Sequence, residues 1–291
     1  MNSDSPAAIR PERADWTIPQ GWDRYTPSEH AVWNALYDRQ TELLRGRACD
    51  AFVAGMNALP IEPDRIPDFE QLGEVLLRAT GWQVVAVPGL VPDEVFFEHL
   101  AHRRFPAGRF IRRAEQLDYL EEPDVFHDVF GHAPLLMNPV IADFIQAYGE
   151  GGLRAQRLGT LPLLARVYWH TVEFGLVRQP EGLRIYGAGI ASSRTESVFA
   201  LDDDSPHRLG FDLERVLRTR YRIDDFQECY FVLDHLDDLL ALAHIDFAPL
   251  YEQVQALETL EPGTVLPRDR VITRGSGRHH AARRSGANHA V

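Results

Sequence analysis

The residue types best suited to chemistry in this chain lie in residues 121–135, which read EEPDVFHDVFGHAPL. This segment places His127 and His132 five positions apart among apolar neighbours, and neutral imidazole is the commonest side-chain metal ligand. Positions five apart on an unbroken α-helix are rotated by about 140° from each other, so they do not share a face. Gly131 could end a helix just before His132 and let the second ring turn back toward the first. The spacing therefore predicts two metal ligands on either side of a helix end, unlike the HExxH helix of a zinc peptidase.

A third candidate ligand, Glu173, lies in the apolar segment 167–177, which reads VYWHTVEFGLV. A carboxylate on the largely apolar face that helical spacing gives it is costly to bury without a cation. One compensation is a contact with His170, and the other is a metal ion. With His127 and His132, Glu173 would complete the facial triad of a non-haem Fe(II) oxygenase, which leaves positions open for water, O2 or substrate. From spacing alone, a Glu173–His170 contact and ordinary core histidines remain as alternatives.

The elements that must position these residues are predicted to be mainly helices. Thr26 and Glu29 form a capping-box pattern that opens a long helix, and Ser193 with Glu196 repeats the pattern. Further predicted elements are helices that begin at Asp68, Pro92, Asn138 and Thr160, a Gly151–Gly152 loop after a helix end at Gly149, short strands at 83–87 and 183–186, and a mostly helical remainder to about Leu260.

Length and composition indicate one globular unit. The chain has 291 residues, of which 45% are hydrophobic and 25% are charged, and this is enough material for a sizeable core. No internal repeat and no composition break precedes the C-terminal tail. We therefore predict a mostly α fold with minor short β-strands, in a single domain over residues 15–262. A disordered lead-in over residues 1–14 and a basic, disordered tail over residues 263–291 would flank it.

Charge and local composition exclude several classes of protein. The formal net charge of −13 argues against a nucleic-acid binder, because nothing over the body of the chain would neutralise phosphates. No run of about 18 apolar residues is present, so we expect no membrane span, and the N-terminus lacks the pattern of a signal peptide. The two isolated cysteines, Cys49 and Cys229, favour a reduced, cytoplasmic setting.

Three motifs resemble those of the pterin-dependent aromatic amino acid hydroxylases. They are the residues 122–135 described above, YWHTVEFG at 168–175 and YGAGIASS at 186–193, in the order and spacing of that family. The resemblance covers roughly residues 15–260, the catalytic domain, without the regulatory domain or the tetramerisation helix of animal members. It implies a monomer that hydroxylates L-phenylalanine to L-tyrosine with O2, Fe(II) and a tetrahydropterin, as in phenylalanine catabolism.

The resemblance also implies roles for individual residues at the iron and the substrate. His127, His132 and Glu173 match the iron ligands of the family. Arg112 matches an arginine that clamps the substrate carboxylate, a task suited to a planar, permanently charged fork. The implied substrate-binding residues are Arg112, Tyr119, Pro123, Trp169, Gly189 and Ser192, with Pro123 and Trp169 beside the ring and Ser192 near the amino-acid end.

Segment 89–96 resembles the pterin-binding part of the family. It would act with Asp128, in residues 122–135 (the iron motif), and with Tyr168, in the second motif. Phe96 would stack on the pterin ring, while backbone groups around Gly89 and Val91 would bind its heteroatom edge. The implied pterin-binding residues are Gly89, Leu90, Val91, Phe96, Asp128 and Tyr168. Leu120 stands where animal members have a threonine near the substrate, so we expect substrate recognition to differ there.

Three alternative functions remain open at this point. Within the family, tryptophan or tyrosine hydroxylation would use a similar apolar, ring-sized pocket, although the short length favours phenylalanine. Outside the family, the same ligands could hold Zn²⁺ in a hydrolase. A helical binding module with structural histidines would need no metal.

Overall fold

The computed structural model describes residues 13–118 and 122–287. The α-helices are α1 (Pro27–Leu44), α2 (Asp50–Ala58), α3 (Phe69–Thr80), α4 (Asp93–Ala101), α5 (Ala133–Leu136), α6 (Pro139–Leu158), α7 (Leu161–Tyr168), α8 (Ala188–Ala191), α9 (Arg194–Asp202), α10 (Leu213–Arg218), α11 (Asp238–Ala243), α12 (Phe247–Gln255) and α13 (Arg278–Ala287). Two π-helices, Phe126–His132 and Trp169–Glu173, and two short 3₁₀ turns, Trp22–Arg24 and Ala114–Gln116, complete the helical part. Within the described ranges, no helix is long and apolar enough to cross a membrane.

The strands form two small sheets. β1 (Gln83–Val87) pairs in parallel with β2 (Arg104–Gly108), with Gln83 opposite Arg104. The second sheet contains β3 (Leu176–Gln179), β4 (Gly182–Ile185), β5 (His207–Gly210), β6 (Cys229–Leu233) and β7 (Val271–Thr273), in the order β4-β3-β6-β5-β7. The prediction of a mostly α fold with minor short strands is confirmed.

Helix starts follow the predicted capping residues. Thr26 and Glu29 make the reciprocal capping box of α1, and Asp68 and Asn138 accept backbone hydrogen bonds at the starts of α3 and α6. Ser193 accepts a hydrogen bond from the backbone of Glu196 at the start of α9. Local hydrogen-bonding chemistry is therefore sufficient to predict these helix starts.

Helix α6 differs from the prediction that it ends at Gly149 before a Gly151–Gly152 loop, because it continues to Leu158. Its glycines allow close packing rather than chain reversal. A Cβ on Gly149 would lie 2.4 Å from the backbone nitrogen of Ala101 in α4, and one on Gly152 would lie 2.0 Å from the Phe97 ring. Only glycine therefore fits at these two positions on the side of α6 that faces α4.

The core beneath the first π-helix consists of aromatic rings. Phe126 and Phe130 stack with their centroids 4.6 Å apart, and Trp33 of α1 packs edge-on against Phe126 at 5.4 Å. All three side chains are fully buried. This packing fixes one side of the π-helix, so its histidines must lie on the other.

The C-terminal part differs from the prediction of a disordered tail over residues 263–291. β7 pairs antiparallel with β5, and the arginines of α13 form ion pairs with Asp204, Asp225 and Glu228. The arginines are thus matched by carboxylates that are distant in sequence. Two stretches, 1–12 and 288–291, lie outside the described residues, so the predicted lead-in is described only at residues 13–14. The body after Ala200 contains β5 and β6 as well as the expected helices.

Candidate active site

The first candidate ligands lie within one continuous helix, not on either side of a helix end. Phe126–His132 is a π-helix and leads directly into α5. Hydrogen bonds in a π-helix join residues five apart, so side chains at positions 127 and 132 come onto one face. Gly131 does not end the helix. It lets the π-helix approach α8, since a Cβ there would lie 3.0 Å from the carbonyl oxygen of Ala188.

The three predicted ligands meet at one point. His132 Nε2 lies 3.3 Å from Glu173 Oε1, His127 Nε2 lies 3.7 Å from Glu173 Oε2, and the two Nε2 atoms are 3.3 Å apart. Ligand atoms bound at about 2.1 Å at right angles around one ion are about 3 Å from each other. The donor set, two imidazoles and one carboxylate, therefore fits a single ion such as Fe(II).

The alternative contact between Glu173 and His170 does not form. His170 Nε2 lies 3.3 Å from the carbonyl oxygen of Thr219, and its ring packs edge-on against Phe231. Glu173 ends the second π-helix and faces the other two histidines instead. His170 is a buried structural residue behind the site.

A hydroxyl fixes the orientation of one imidazole. Ser192 Oγ donates a hydrogen bond to the carbonyl of Ala188 at 2.8 Å, so it accepts one from His127 Nδ1 at 2.9 Å. The neutral ring then presents an unprotonated Nε2 toward Glu173, which is the tautomer that binds a metal. Ser192, expected to contact substrate, thus also orients a ligand.

Burial and neighbouring charge set the protonation of the ligands. Burial lowers the pKa of His127 to about 4, which keeps the ring neutral. Burial alone would raise the pKa of Glu173, but the neighbouring His132 and His127 lower it overall. The site therefore offers the Glu173 carboxylate and the neutral His127 nitrogen to a cation, beside His132 Nε2 as the third donor.

The triad opens into a cavity of about 800 Å³. Its wall contains five of the predicted substrate-binding residues, namely Arg112, Pro123, Trp169, Gly189 and Ser192, beside His127 and Glu173. The sixth, Tyr119, lies outside the described residues, as does Leu120. Three distant segments of the sequence are thus brought to one chamber.

A family model described as biopterin-dependent aromatic amino acid hydroxylase matches residues 16–249, which is most of the chain. The chain belongs to this family.

Relatives and solved structures of this hydroxylase family agree over nearly the whole length. The chain is 59% identical over 276 residues to the phenylalanine-4-hydroxylase of Caulobacter vibrioides, covering 95% of this chain and 93% of the relative. It is 60% identical over 264 residues to the Ralstonia nicotianae phenylalanine-4-hydroxylase, covering 91% of this chain and 84% of the relative. The crystal structure of Chromobacterium violaceum phenylalanine hydroxylase with bound iron and phenylalanine matches with a TM-score of 0.86 and 54% identity. The match covers 91% of this chain and 97% of the other.

Arg112 of this hydroxylase is a buried group, not a solvated surface charge. Its Nε and Nη2 donate to the two carboxylate oxygens of Asp124 at 2.8 and 2.9 Å, and its backbone nitrogen donates to the same carboxylate. Asp124 also accepts from the backbone nitrogen of His127 at 3.1 Å, so one carboxylate links the guanidinium to the iron motif. The sequence reasoning missed Asp124, although an aspartate three residues before His127 is a helix-capping pattern.

Two of the residues expected to bind the pterin cofactor of the hydroxylase are aromatic side chains grouped beside His132. Tyr168 stacks beside His132 at 6.4 Å, and Phe96 meets Tyr168 edge-on at 6.0 Å. Asp128 is buried, which raises its pKa to about 7, and its Oδ2 accepts from the backbone nitrogen of Gly108 at 2.7 Å. Phe96 and Tyr168 thus form one aromatic group next to the triad, and Asp128 belongs to the same π-helix as the two histidine ligands.

The loop between β1 and α4 carries the remaining pterin candidates, Gly89, Leu90 and Val91. Glu122 holds this loop, because its Oε1 accepts from the backbone nitrogen of Leu90 at 3.2 Å. A Cβ at position 89 would lie 2.6 Å from the same oxygen, so a larger residue there would displace the Glu122 carboxylate from the loop. Glu122, which precedes Pro123, was not singled out from the sequence.

Proposed function

We propose that this protein hydroxylates L-phenylalanine to L-tyrosine with O2 and a tetrahydropterin at a non-haem Fe(II) site. The observation that carries the proposal is the triad of His127, His132 and Glu173, gathered on one side of a cavity that is large enough for an amino acid. The family of the chain is pterin-dependent, and its relatives named above are phenylalanine hydroxylases.

The three ligands would hold iron through two neutral nitrogens and one carboxylate. When bound, the iron and the reduced pterin together supply the activation of O2 that hydroxylation requires. The contribution of the chain is to hold the donors in place: Ser192 keeps the tautomer of His127, and the two π-helices keep the ligand atoms within 4.8 Å of one another. Net charge at the site then remains positive with a divalent ion, which favours binding of anionic species.

Arg112 would bind the carboxylate of the amino acid. Its side chain donates to Asp124 through Nε and one N–H of Nη2, so among the described contacts Nη1 and the second N–H of Nη2 remain for a ligand in the cavity. A guanidinium held at both positions loses little freedom on binding, which makes the contact selective. Pro123 and Trp169 would enclose the substrate ring and exclude water from it.

The tetrahydropterin would lie between Phe96 and the triad. Phe96 would stack on its ring, and the backbone around Gly89, Leu90 and Val91 would bind its polar edge. Asp128 and Tyr168 would complete that side of the site. The contact of Tyr168 with His132, and of Phe96 with Tyr168, supports this assignment.

The chain would act as a monomer in the cytoplasm, with a catalytic domain that extends past residue 262, because β7 joins the second sheet and His279 and Arg283 line the cavity. Both cysteines are buried and unpaired, which agrees with a reducing compartment. Size-exclusion chromatography with light scattering should give the mass of one chain, and a stable dimer would contradict this part of the proposal.

An oxygen-uptake assay with product identification tests the central claim. Iron-loaded protein purified under anaerobic conditions is mixed with tetrahydropterin and phenylalanine, tryptophan or tyrosine in turn. We expect tyrosine as the main product from phenylalanine, with much slower turnover of the other two. A preference for tryptophan or tyrosine would assign another reaction of the family, and zinc with no oxygen uptake would support a hydrolase.

A further inference from the structure

Trp169 forms part of the cavity wall, and residues behind it hold it in place. Trp169 Nε1 donates to Gln227 Oε1 at 3.1 Å, and its ring stacks on Tyr221 with the centroids 4.3 Å apart and the planes 16° from parallel. Tyr221 and Gln227 are the two ends of one segment, residues 221–227, which we name the wall loop. The position of Trp169 therefore depends on the position of the wall loop.

The wall loop closes on itself through Gln227. Gln227 Oε1 also accepts from the backbone nitrogen of Arg222 at 3.1 Å, and its Nε2 donates to the Arg222 carbonyl at 2.8 Å. This buried amide thus joins both ends of the loop to the Trp169 indole. Displacement of the loop would pull on the same atoms that orient the indole.

The outer side of the wall loop is held by helix α13. The Asp225 carboxylate faces His279 Nε2 at 2.9 Å through one oxygen and Arg283 Nε at 2.9 Å through the other. His280 Nε2 donates to the Phe226 carbonyl at 2.8 Å. His279 and Arg283 also line the cavity that contains the triad.

Helix α13 has anchors that do not involve the wall loop. β7 pairs with β5, and the backbone nitrogen of Gly275 donates to His207 Nδ1 at 2.8 Å. The backbone nitrogen of His279 donates to Ser205 Oγ at 3.0 Å. Because the helix is fixed to the body of the protein, it can hold the loop in place rather than move with it.

From these contacts we propose that the C-terminal segment 271–287 is a positioning element for substrate binding, which acts through Asp225 and the wall loop on Trp169. The proposal rests on the proposed function, in which Trp169 faces the substrate ring. Asp225 and Gln227 are then positioning residues, while His279 and Arg283 form the outer rim of the amino-acid pocket. The family match ends at residue 249, so this element lies beyond the matched part of the chain.

A metal site is the competing interpretation of the same cluster. Asp225, His279 and His280 offer ligand atoms within 4.8 Å of one another. However, Arg283 already balances the Asp225 charge, and His280 Nε2 is engaged with a backbone carbonyl. A cation would have to displace the guanidinium, so the contacts favour a structural connection between helix and loop.

The test compares Asp225→Asn and Arg283→Gln with the unaltered enzyme and with Arg78→Gln as a control. Arg78 is an exposed arginine that pairs with Glu74 on α3, away from the cavity. The measurements are KM for phenylalanine, kcat, KM for tetrahydropterin, and the Kd of phenylalanine by anaerobic calorimetry on the iron-loaded protein. Thermal unfolding of each variant verifies that it is folded.

For Asp225→Asn we expect KM and Kd for phenylalanine to rise about 5-fold, with kcat within about 2-fold and KM for tetrahydropterin unchanged. Arg283→Gln should give a smaller rise, because His279 still holds the carboxylate, and Arg78→Gln should give none. Unchanged KM and Kd for phenylalanine in a folded Asp225→Asn enzyme would overturn the proposal. So would an equal rise in both KM values, which would indicate general loosening of the site. An unaltered enzyme that fails to hydroxylate phenylalanine would instead refute the proposed function.

Discussion

The inner and outer parts of the active-site cavity are built in different ways. At the inner end, the side chains of Asp124, Arg112 and His132 are 0%, 8% and 3% exposed, and each contacts a residue of the iron motif. At the rim, Arg283 is 64% exposed and Ile223 is 77% exposed. Buried charges must be paired or bound to a metal, whereas exposed ion pairs contribute about 0–1 kcal/mol. The inner part should therefore respond to single substitutions by losing function or stability, and the rim by changing affinity.

Removal of a metal ligand should have the largest effect. In Glu173→Ala the two histidines keep their positions but lose the only negative charge of the donor set. We expect loss of bound iron and a fall in tyrosine formation of at least about 1,000-fold, with helical content retained. Metal analysis, product assay and circular dichroism measure the three quantities. Exposed Glu181→Ala is the matched control, and a Glu173→Ala variant with full activity would refute the assignment of Glu173 as a ligand.

Asp124→Asn should have the next largest effect, on stability. The substitution keeps the size of the side chain but leaves the buried Arg112 guanidinium without its countercharge. Breaking one side of a buried ion pair costs about 3–5 kcal/mol, so the free energy of unfolding in urea should fall by that amount. Glu42→Gln, which alters an exposed pair with Arg45, should cost less than about 1 kcal/mol. Equal losses in the two variants would remove the distinction between buried and exposed charges.

The inner part was more predictable from the sequence than the rim, because its ligands belong to short motifs. His127, His132 and Glu173 were singled out by residue type and spacing, and the structure brings them together. The predicted helix end between the histidines was wrong, since α-helical periodicity cannot indicate a π-helix. Helix starts were predictable from local capping, as at Thr26.

What the sequence could not indicate were contacts between distant carboxylates and arginines. The partners of the α13 arginines lie 56 to 74 positions earlier in the chain. Composition alone therefore indicated a solvated tail. Gly149 was misread for a similar reason: a glycine that permits close packing against α4 looks the same in sequence as one that ends a helix.

Arg112→Lys tests how the inner part binds the amino acid. An ammonium group cannot occupy both Asp124 oxygens and also present a third planar nitrogen to the cavity. We expect KM for phenylalanine to rise about 10-fold, with a smaller change in kcat. Steady-state kinetics at saturating tetrahydropterin measure this, and Arg45→Lys on the exposed surface is the control. An unchanged KM would exclude Arg112 from carboxylate binding.

Glu196 lies between the inner part and the rim of the cavity, and a substitution there shows to which of them it belongs. Its Oε1 accepts from Tyr230 and from the backbone nitrogen of Gln227 in the wall loop, and burial raises its pKa from the ordinary 4.5 to about 7. Between these values the folded protein binds more protons than the unfolded chain, so this group makes stability fall as pH rises. Glutamine does not ionise, so the Glu196→Gln variant lacks this fall of stability with rising pH.

The melting temperature of Glu196→Gln minus that of the unaltered protein should thus be about 3–5 °C larger at pH 8 than at pH 5. Differential scanning calorimetry at both pH values measures the difference, with the exposed Glu252→Gln as control. A pH-independent difference would mean that Glu196 ionises at no cost, as a solvated rim carboxylate does. A pH-dependent one would extend the buried, charge-sensitive part of the site to the base of the wall loop, because the same carboxylate receives the Gln227 amide.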